Sequence, residues 1–516
     1  MIAPTATLDE ALPKDNPVQR KRAQLGELAA KARPIRAKYD AAGSGTEYAR
    51  IWENTDALDA DSANSRLVRQ TLVQRSRYEI ANNGYASGIA KTYATDLIGM
   101  GPQLRMQSGS EGFNRMVERA WMAWTKEIKF RRKLWCMAHA KHSDGESFGV
   151  IRQNRRLRNP VKMDIVLHET EQCQTPYSYY GRENYIDGVK FDSFGNPEWY
   201  DFLRYHPGST NESEWSFEAE QVPARYVLHW FKVLRPGQHR GIPETVSTLN
   251  LGAAARRWRE AVLAAAENIA DYSLFLKTMF EPDEMDSVDP MSTLEIEKRM
   301  MVALPAGYEA FQPRAEQPVA THAEFSKALV SEQARPHSMP LNKAACDSSN
   351  YNYASGRLDH QTYYGSLDVD RLDCNDDVLD PLFREWFEMA VTVYGWVGGN
   401  AGVLNDAAMN HTWDWPKHQV ADIVSEETAA DKRLKNGKSC LAAELTANGQ
   451  DPEDQLAKQA ESNGLDIETQ RHMNYLANLP QHMVQYAAAA IGIETPQQEQ
   501  TDDPPEESET DDESED

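Results

Sequence analysis

The chain has 516 residues, enough for several packing units, because a single hydrophobic core rarely grows beyond about 250 to 300 residues. Its 55 Lys and Arg residues stand against 79 Asp and Glu residues, which gives a formal net charge of −24 at neutral pH. Tight nonspecific DNA binders usually carry a basic balance, because Lys and Arg displace the counterions of phosphates. The composition therefore excludes a protein that grips DNA over its whole surface, and loose passage of DNA fits it better.

The cysteines and the apolar runs bear on where the protein works. The five cysteines are scattered without a CxxC pair, a pattern that favours reduced thiols in a cytosol. Residues 1–17 contain no apolar run of signal-peptide length, and no stretch approaches the roughly 18 apolar residues of a membrane-spanning helix. The sequence therefore predicts neither export nor a membrane span.

The first half of the chain predicts helices followed by strands. Residues 18–38 alternate charged residues with Ala and Leu and end at a Gly-rich joint, which predicts a helical arm. Apolar residues at helical spacing cover residues 65–98 with an interruption near Asn83 and Gly84, which predicts two helices or one bent helix. Residues 163–231 change to short apolar runs between Gly, Pro and Asn turns, typical of a small β-rich domain.

The strongest helical pattern covers residues 245–277. A helix of that length spans about 45 to 50 Å, at about 1.5 Å per residue. Periodicity alone leaves open whether its apolar seam packs within the chain or against another subunit, because both arrangements need one apolar stripe. The seam consists of Trp258, Val262, Ala265, Ile269, Tyr272 and Leu276.

The remaining elements are weaker in pattern. Residues 280–318 are punctuated by proline and predict an inserted tip with a strand at 300–304. Beyond residue 495 the chain is acidic, without Lys or Arg, and cannot form a packed core. Further helices are predicted at residues 321–331, at 358–394 with candidate bends at Gly365 and Pro381, as a pair of short helices within 426–461, and at 467–491.

Two clusters of polar residues suggest chemistry, and each has a plainer alternative. Cys136, His139, His142, Asp144 and Glu146 lie close enough in the sequence to indicate a metal cluster, and a helix could place the first three on one face. A turn with exposed polar groups is the favoured interpretation. An acidic tract is reminiscent of a two-metal nuclease, although its irregular spacing favours ordinary surface acids. The tract comprises Asp347, Asp359, Asp368, Asp370, Asp373, Asp376 and Asp377.

Two further motifs carry little functional weight. Residues 437–439 read Gly-Lys-Ser, but a phosphate loop needs a glycine five positions earlier, where Lys432 stands. A helix end with a solvated lysine is therefore favoured. A basic run leaves open whether it contacts DNA or a capsid subunit, or is a solvated helix face. The run comprises Lys126, Lys129, Arg131, Arg132 and Lys133, flanked by Trp124 and Trp135.

Five local phrases in chain order resemble those of lambda-like bacteriophage portal proteins. They cover residues 75–86, 144–148, 229–243, 348–357 and 413–451. Most weight falls on the fourth, which is similar to the family's Asn-Tyr-Ser-Ser-x-Arg signature before a long helix. The residues that carry the resemblance are Arg75, Asn82, Asn83, Gly84, Arg240, Gly241, Ser355 and Arg357.

The resemblance implies an α+β, mainly α portal fold that assembles as a ring. The wing combines helices with a small β-rich domain, the stem has long helices, the clip is α/β, and the crown is helical. The implied divisions are an N-terminal arm at 1–64, the wing at 65–244, a stem helix at 245–279, the clip at 280–318, a second stem helix and channel segment at 319–354, a wing-side helix at 355–425, the crown at 426–494 and an acidic tail at 495–516.

The resemblance also implies a function. Twelve subunits would form a channel at one capsid vertex for packaging and ejecting double-stranded DNA, first docking the terminase large subunit and later head-completion and tail connector proteins. The major capsid and scaffold proteins would be further partners, with assembly in the host cytoplasm and no catalytic residue, metal or cofactor. Candidate channel cations are Arg256, Arg257, Lys327 and Lys343. The alternatives are a metal-dependent nucleic-acid-processing enzyme using residues 139–146 or the acidic tract, and a monomeric capsid adaptor.

Overall fold

The chain divides into two units, residues 1–59 and 60–516. In the first unit the Thr55 N–H and hydroxyl both donate to the Trp52 carbonyl. The arm predicted at 18–38 and the acidic tail beyond 495 lie outside the described residues. The computed structural model describes residues 52–53, 55–176, 183–210, 218–271, 275–278, 308–311, 321–349, 352–396, 406–418, 423–448, 450 and 452–479.

The second unit begins with five helices and one strand. The predicted interruption near Gly84 is confirmed: Asn83 leaves the helical conformation, with φ −116° and ψ 113°, and its side chain accepts the Tyr85 N–H and caps the next helix. The elements are α1 Ala60–Ala63, α2 Arg66–Asn82, α3 Gly84–Ile98, β1 Gln103–Met106, α4 Glu111–Glu127 and α5 Phe130–Asp144.

A β-rich region follows, as predicted from residues 163–231. One antiparallel sheet has the order β3-β2-β8, and a second has the order β4-β5-β6-β7. The two sheets enclose an apolar cluster that includes Phe148, Val189 and Phe202. The strands are β2 Glu146–Gln153, β3 Met163–His168, β4 Tyr185–Ile186, β5 Val189–Phe191, β6 Pro197–Leu203, β7 Ala219–Pro223 and β8 Val227–Phe231.

The long seam helix is shorter than predicted. Helix α6 covers Leu249–Asp271, and residues 275–278 form a strand, β9 Phe275–Thr278, that pairs antiparallel with β10 Tyr308–Phe311. The prediction that Leu276 continues the helical seam is therefore wrong, because long-range strand pairing outweighs local helical periodicity there. The strand predicted at 300–304 lies outside the described residues.

Helix α7 His322–Ala334 packs against α6 and leads back into the core. Trp258 of α6 stacks on His322 with ring centroids 4.7 Å apart and meets Phe325 edge-on at 5.1 Å. A short 3-10 turn, Arg335–His337, and helix α8 Leu341–Ala345 follow. Val330, Ala334, His337 and Ala344 in this stretch are buried, so the end of α7 and helix α8 are anchored in the main core.

The predicted long helix of residues 358–394 is continuous but contains a π-helical turn. Helix α9 Tyr353–Cys374 passes through Asn375–Leu379 in π geometry into α10 Asp380–Tyr394, with Pro381 in the first turn of α10. Gly365 lies in the regular interior of α9. The irregularity thus comes just before Pro381, because proline lacks the N–H that the preceding turn would need.

Short elements end the described chain. Strand β11 His411–Asp414 pairs antiparallel with β1. The region predicted to hold two short helices holds three, and the helix predicted at 467–491 is described over 467–477. The helices are α11 Ile423–Lys435, α12 Leu441–Ala447, α13 Pro452–Asn463 and α14 Ile467–Ala477.

The main core joins helices that are distant in sequence. Trp121 and Trp124 of α4 pack against Trp386 of α10 with ring centroids 5.1 and 6.0 Å apart. The same cluster takes in Phe383 of α10, Tyr93 of α3 and further residues of α5, α9 and β8. Full burial of each large aromatic side chain stabilises the fold by about 1.5 to 3 kcal/mol. None of the helices within the described ranges is long and apolar enough to cross a membrane.

Candidate functional site

Two of the sequence segments that resemble the family, 144–148 and 229–243, are nearly a hundred residues apart in the chain and meet at a close backbone contact. A Cβ atom on Gly145 would lie 2.2 Å from the Ile242 carbonyl carbon, and one on Gly241 would lie 2.1 Å from the Gly145 oxygen. Gly145 also has φ +88°, a conformation that L side chains rarely adopt. The two glycines therefore allow the turn before β2 to touch the loop that leads towards α6.

A buried ion pair lies directly beside this contact. Arg240 donates to Glu146 through Nη2 at 2.6 Å and through Nε at 2.9 Å, with 2% and 0% of the two side chains exposed. Glu146 also accepts the Gly241 N–H at 2.8 Å and faces His229 Nε2 at 3.2 Å. Burial alone would raise the pKa of Glu146, but the charge of Arg240 and these hydrogen bonds hold it well below its ordinary value.

A second arginine and a second carboxylate complete this buried arginine cluster. Arg69 of α2 donates to Asp187, in the turn between β4 and β5, and its Nε lies 3.7 Å from Glu146 Oε1. Arg240 Nη1 lies 3.6 Å from Asp187 Oδ2. Two guanidinium groups thus face two carboxylates, and this charge balance makes burial tolerable. The cluster ties α2 and the loop before α6 to both sheets.

A second polar group, the buried lysine cluster, lies between α3, α5 and α9. Lys141 Nζ donates to Glu244 Oε1 at 2.8 Å, to the Tyr93 hydroxyl at 3.0 Å and to Asp370 Oδ1 at 3.3 Å. The Tyr93 hydroxyl donates to Asp370 Oδ2 at 2.7 Å. Burial lowers the pKa of Lys141, but the facing charges of Glu244 and Asp370 outweigh it and raise the pKa overall.

The structure disperses the candidate metal ligands of residues 136–146. Cys136 is exposed, and the His139 ring stacks on Trp135. Asp144 accepts from Arg77 Nη2 at 2.7 Å, and Glu146 belongs to the buried arginine cluster. The expected turn of exposed polar groups is also wrong, because all residues from 141 to 146 are buried. The groups of potential metal ligands within the described residues are His142, Glu244 and His337, and Glu169, Glu171 and His206.

Only some carboxylates of the acidic tract lie at the surface. Asp359 and Asp368 are exposed, whereas Asp370 is 1% exposed and pairs with Lys141 and Lys232 at 3.3 Å each. Burial and the neighbouring Asp373 raise the pKa of Asp377 to about 7. These carboxylates lie on different faces of one helical run, and Asp370 belongs to a neutralised cluster.

Three of the four candidate channel cations have partners within the chain. Arg256 Nη2 is 3.4 Å from Glu79 Oε2 and its guanidinium lies over the Tyr78 ring. Lys327 pairs with Asp347 at 2.7 Å and Lys343 pairs with Asp96 at 2.6 Å. Arg257 is exposed on α6.

Several residues that carry the family resemblance border one open groove. Asn82, Asn83 and Gly84 lie on one side of it, and Arg256 and Arg259 of α6 on another. The groove has a volume of about 430 Å³. Other residues of the resemblance act at helix ends or at the surface: the Ser355 hydroxyl donates to the Asn352 carbonyl at 3.1 Å, while Arg75 and Arg357 are exposed.

Helix α9 exposes an apolar face. Its inner face carries Tyr363, Leu367 and Asp370, which are at most 1% exposed. Its outer face carries Leu358, Val369 and Leu372, which are exposed by 65%, 53% and 62%. At 100° per residue these three and Gly365 fall on one stripe. A solvated helix face is normally polar, so an apolar outer face indicates contact with a protein partner.

Sequence reasoning overlooked the partners of both buried clusters. Arg69, Asp187 and Glu244 lie in none of the motifs that the sequence shows. Lys141 did give a signal, because it occupies the apolar stripe that Leu134, Met137 and Ala138 define on α5. A lysine at such a core position requires a buried carboxylate partner.

The class of protein follows from this geometry: a mainly helical subunit with small sheets, buried neutralised charge clusters and an exposed apolar helix face suited to assembly. The sequence model of the lambda-family phage portal proteins matches residues 50–368. A protein of Halomonas phage phiHAP-1 described as a probable portal protein is 24% identical over 424 residues, covering 75% of this chain and 78% of the relative. The chain therefore belongs to the lambda family of phage portal proteins.

Solved structures of gene transfer agent particles also match this chain. The neck of the native particle, computed with C12 symmetry, matches with 14% identity and a TM-score of 0.42, and the virion with 15% and 0.40. Each match covers 74% of this chain and 94% of the other.

Proposed function

We propose that identical copies of this chain form a twelve-membered ring at one capsid vertex, and that double-stranded DNA enters and leaves the capsid through its axial channel. In this role the chain is structural, without a catalytic residue or cofactor. The terminase large subunit would dock on the ring during packaging, and head-completion and tail connector proteins would dock afterwards. The observation that carries the proposal is the family match over residues 50–368.

The outer face of α9 supports assembly with copies of the same chain. Leu358, Val369 and Leu372 form a stripe of exposed apolar side chains on a helix whose other face is in the core. In a ring with one repeating interface, this face would meet a different surface of the neighbouring subunit. Covering the three side chains stabilises association by about 1.5 to 3 kcal/mol for each fully buried one.

The divisions of the portal fold can be proposed on the observed elements. Helices α6 and α7 would form the stem, and residues 280–318 between them would form the clip that meets the motor. Helices α9 and α10 would belong to the wing with the two sheets, and α11 to α14 would form the crown. The stretch from Ala328 to Tyr353 would approach the channel, although much of it packs in the core.

Contact with DNA would be weak and local. The chain is acidic overall, and partners within the chain largely neutralise Arg256, Lys327 and Lys343. A channel wall of this kind repels phosphate, while Arg257 would make transient contacts. Loose contact suits a duplex that has to slide.

Particle images of the purified chain, taken with and without its scaffold and major capsid proteins, test the proposal. We expect rings of about twelve subunits with an axial hole. Incubation with linear DNA and Mg²⁺ or Zn²⁺ is the companion assay, and the DNA should stay intact. Single particles without a hole, together with metal-dependent cleavage of DNA, would instead support an enzyme.

A further inference from the structure

Three potential ligands from distant parts of the chain meet inside the protein. His142 lies in the last turn of α5, Glu244 in the loop before α6, and His337 in the 3-10 turn after α7. One ligand atom from each lies within 4.8 Å of the other two. The Glu244 N–H donates to the His142 carbonyl at 3.2 Å, so the backbone itself holds two of the three together.

The His142 ring packs against Tyr93 and His337, but its polar atoms are unsatisfied. The side chain is 1% exposed, and among the described residues neither of its ring nitrogens has a hydrogen-bond partner. An unsatisfied buried polar group costs about 1 to 3 kcal/mol. The buried ring therefore offers an imidazole nitrogen, which is a common metal ligand in proteins.

A small cavity with a mixed lining adjoins the two histidines, and it has a volume of about 20 Å³. Apolar residues such as Ile89 and Leu249 form part of the wall, and the polar part consists of Glu79, His142, His337, Gln333, Thr245 and Thr248. A volume of this size holds about one water molecule, provided that polar groups surround it. The cavity thus offers space for a further oxygen ligand beside the protein side chains.

We propose that His142, Glu244 and His337 bind one divalent transition-metal ion, preferably zinc, with a water in the adjoining cavity as the fourth ligand. Two imidazoles, one carboxylate and one water are a ligand set that zinc accepts in tetrahedral geometry. Calcium and magnesium prefer oxygen ligands alone, so this donor set disfavours both.

Binding requires a small adjustment of the ligand side chains. Glu244 Oε2 lies 2.7 Å from His337 Nδ1, whereas tetrahedral bonds of about 2.0 Å place ligand atoms about 3.3 Å apart. The two side chains therefore separate by roughly half an ångström as the metal enters. Lys141 keeps its contact with the other oxygen, Oε1, and orients the carboxylate as an outer partner.

The charge of Lys141 does not exclude a cation. The same ammonium also faces Asp370 at 3.3 Å, so it is shared between two carboxylates. The metal would connect α5 to the entry of α6 and to the exit of α7. It would thereby fix both ends of the α6–α7 segment on the core, a stabilising role that goes beyond the proposed conduit function.

Cobalt titration of the full-length, chelator-treated protein tests the site. We expect one equivalent of Co²⁺ per chain, visible d–d absorption typical of nitrogen and oxygen ligands, and displacement of Co²⁺ by Zn²⁺. Zn²⁺ should also raise the melting temperature. A strong thiolate-to-cobalt band would place the ion on cysteines and overturn the proposal, and so would the absence of stoichiometric uptake by the wild-type chain.

Matched variants locate the ion. His142→Ala combined with His337→Ala should abolish the d–d absorption and the Zn²⁺-dependent rise in melting temperature. His206→Ala removes a ligand of the other potential group, Glu169, Glu171 and His206, and should leave both signals unchanged. Loss of the signals in His206→Ala would contradict the assignment. If the double variant fails to fold, the stoichiometry and spectrum of the wild-type chain still decide.

Discussion

Burying the charge of Arg240 or of Glu146 alone would destabilise the fold. Together, the two side chains neutralise each other's charge and form hydrogen bonds with each other. Both side chains are at most 2% exposed, and Glu146 accepts from the side chain of Arg240 and from the backbone of Gly241. Removing one partner leaves a buried charge without compensation, which costs about 3 to 5 kcal/mol. At this scale the fold therefore depends on pairs of residues.

Replacing Glu146 tests that dependence. Glu146→Gln keeps the shape of the side chain but leaves Arg69 and Arg240 facing a single carboxylate, that of Asp187. We therefore expect the free energy of unfolding to fall by about 3 to 5 kcal/mol in urea denaturation. Arg152→Ala is the control, since Arg152 and Glu220 form an exposed pair. The control should lose less than about 1 kcal/mol. Equal losses in the two variants would contradict the account.

The glycine contact makes a second prediction. Gly241→Ala would place a methyl group 2.1 Å from the Gly145 oxygen, so the loop has to move, and we expect little soluble folded protein on expression. Gly88→Ala, at a helical position with nothing within 4 Å of the new methyl group, should instead stabilise the chain by about 0.5 to 1 kcal/mol. A normal melting temperature for Gly241→Ala would show that the contact is dispensable.

Asp377 gives a prediction that depends on pH. Burial raises its pKa from 3.8 to about 7, so the folded chain binds more protons than the unfolded chain between these values, and stability falls as the pH rises through that window. Asp377→Asn removes the buried carboxylate. We expect it to stabilise the chain by about 1 to 3 kcal/mol at pH 8 and to have little effect at pH 4, in urea titrations at both values. The same gain at both pH values would be evidence against a buried carboxylate.

At the scale of single residues, the sequence drew attention to residues that lie within a recognisable motif. It gave no indication of contacts between residues that lie outside any motif. Arg240 and Gly241 belong to the segment 229–243 that resembles the family, and the structure places both at a close backbone contact. Lys141 and Asp370 are 229 positions apart in the chain, and nothing local pairs them. The turn of exposed polar groups favoured for residues 136–146 was wrong for a similar reason, because residues 141–146 are buried and neighbours such as His337, which contacts the His142 ring, come from another part of the chain.

At the scale of elements, the sequence predicted helix and strand boundaries correctly where residues close in the chain determine them. The break between α2 and α3 follows from the capping side chain of Asn83, and the β-rich region follows from its turn residues. The end of α6 was missed, because the strand Phe275–Thr278 is stabilised by pairing with Tyr308–Phe311, more than thirty residues away. The π-helical turn before Pro381 was anticipated only as a bend.

The outer face of α9 makes the prediction at this scale. Val369→Glu combined with Leu372→Glu places two charges in the proposed interface, where they would be desolvated against a neighbouring subunit. We expect the ring to dissociate while the far-ultraviolet circular dichroism stays unchanged, as measured by light scattering and spectroscopy on the same sample.

Met100→Glu is the matched control for that pair of substitutions. Met100 is 73% exposed and lies outside α9, so its replacement should leave the assembly intact. If rings persist in the α9 variant, or if Met100→Glu breaks them equally well, the interface lies elsewhere on the subunit.

At the scale of the whole molecule, the proposed function requires an acidic chain to surround an acidic polymer without binding it tightly. The net charge of −24 disfavours adhesion to phosphate, and the proposed closed ring would keep DNA in place by geometry instead. The family was predicted from short segments of the sequence. A closed ring is formed by many chains together, so the structure of a single chain does not display it.

The mass of the purified particle tests the central claim most directly. Twelve chains of 58.3 kDa give roughly 700 kDa, and light scattering during size exclusion, with scaffold and shell proteins available for assembly, should find a homogeneous species of about that mass. A chain that remains at 58.3 kDa at high concentration under these conditions would contradict the account of a ring-forming conduit.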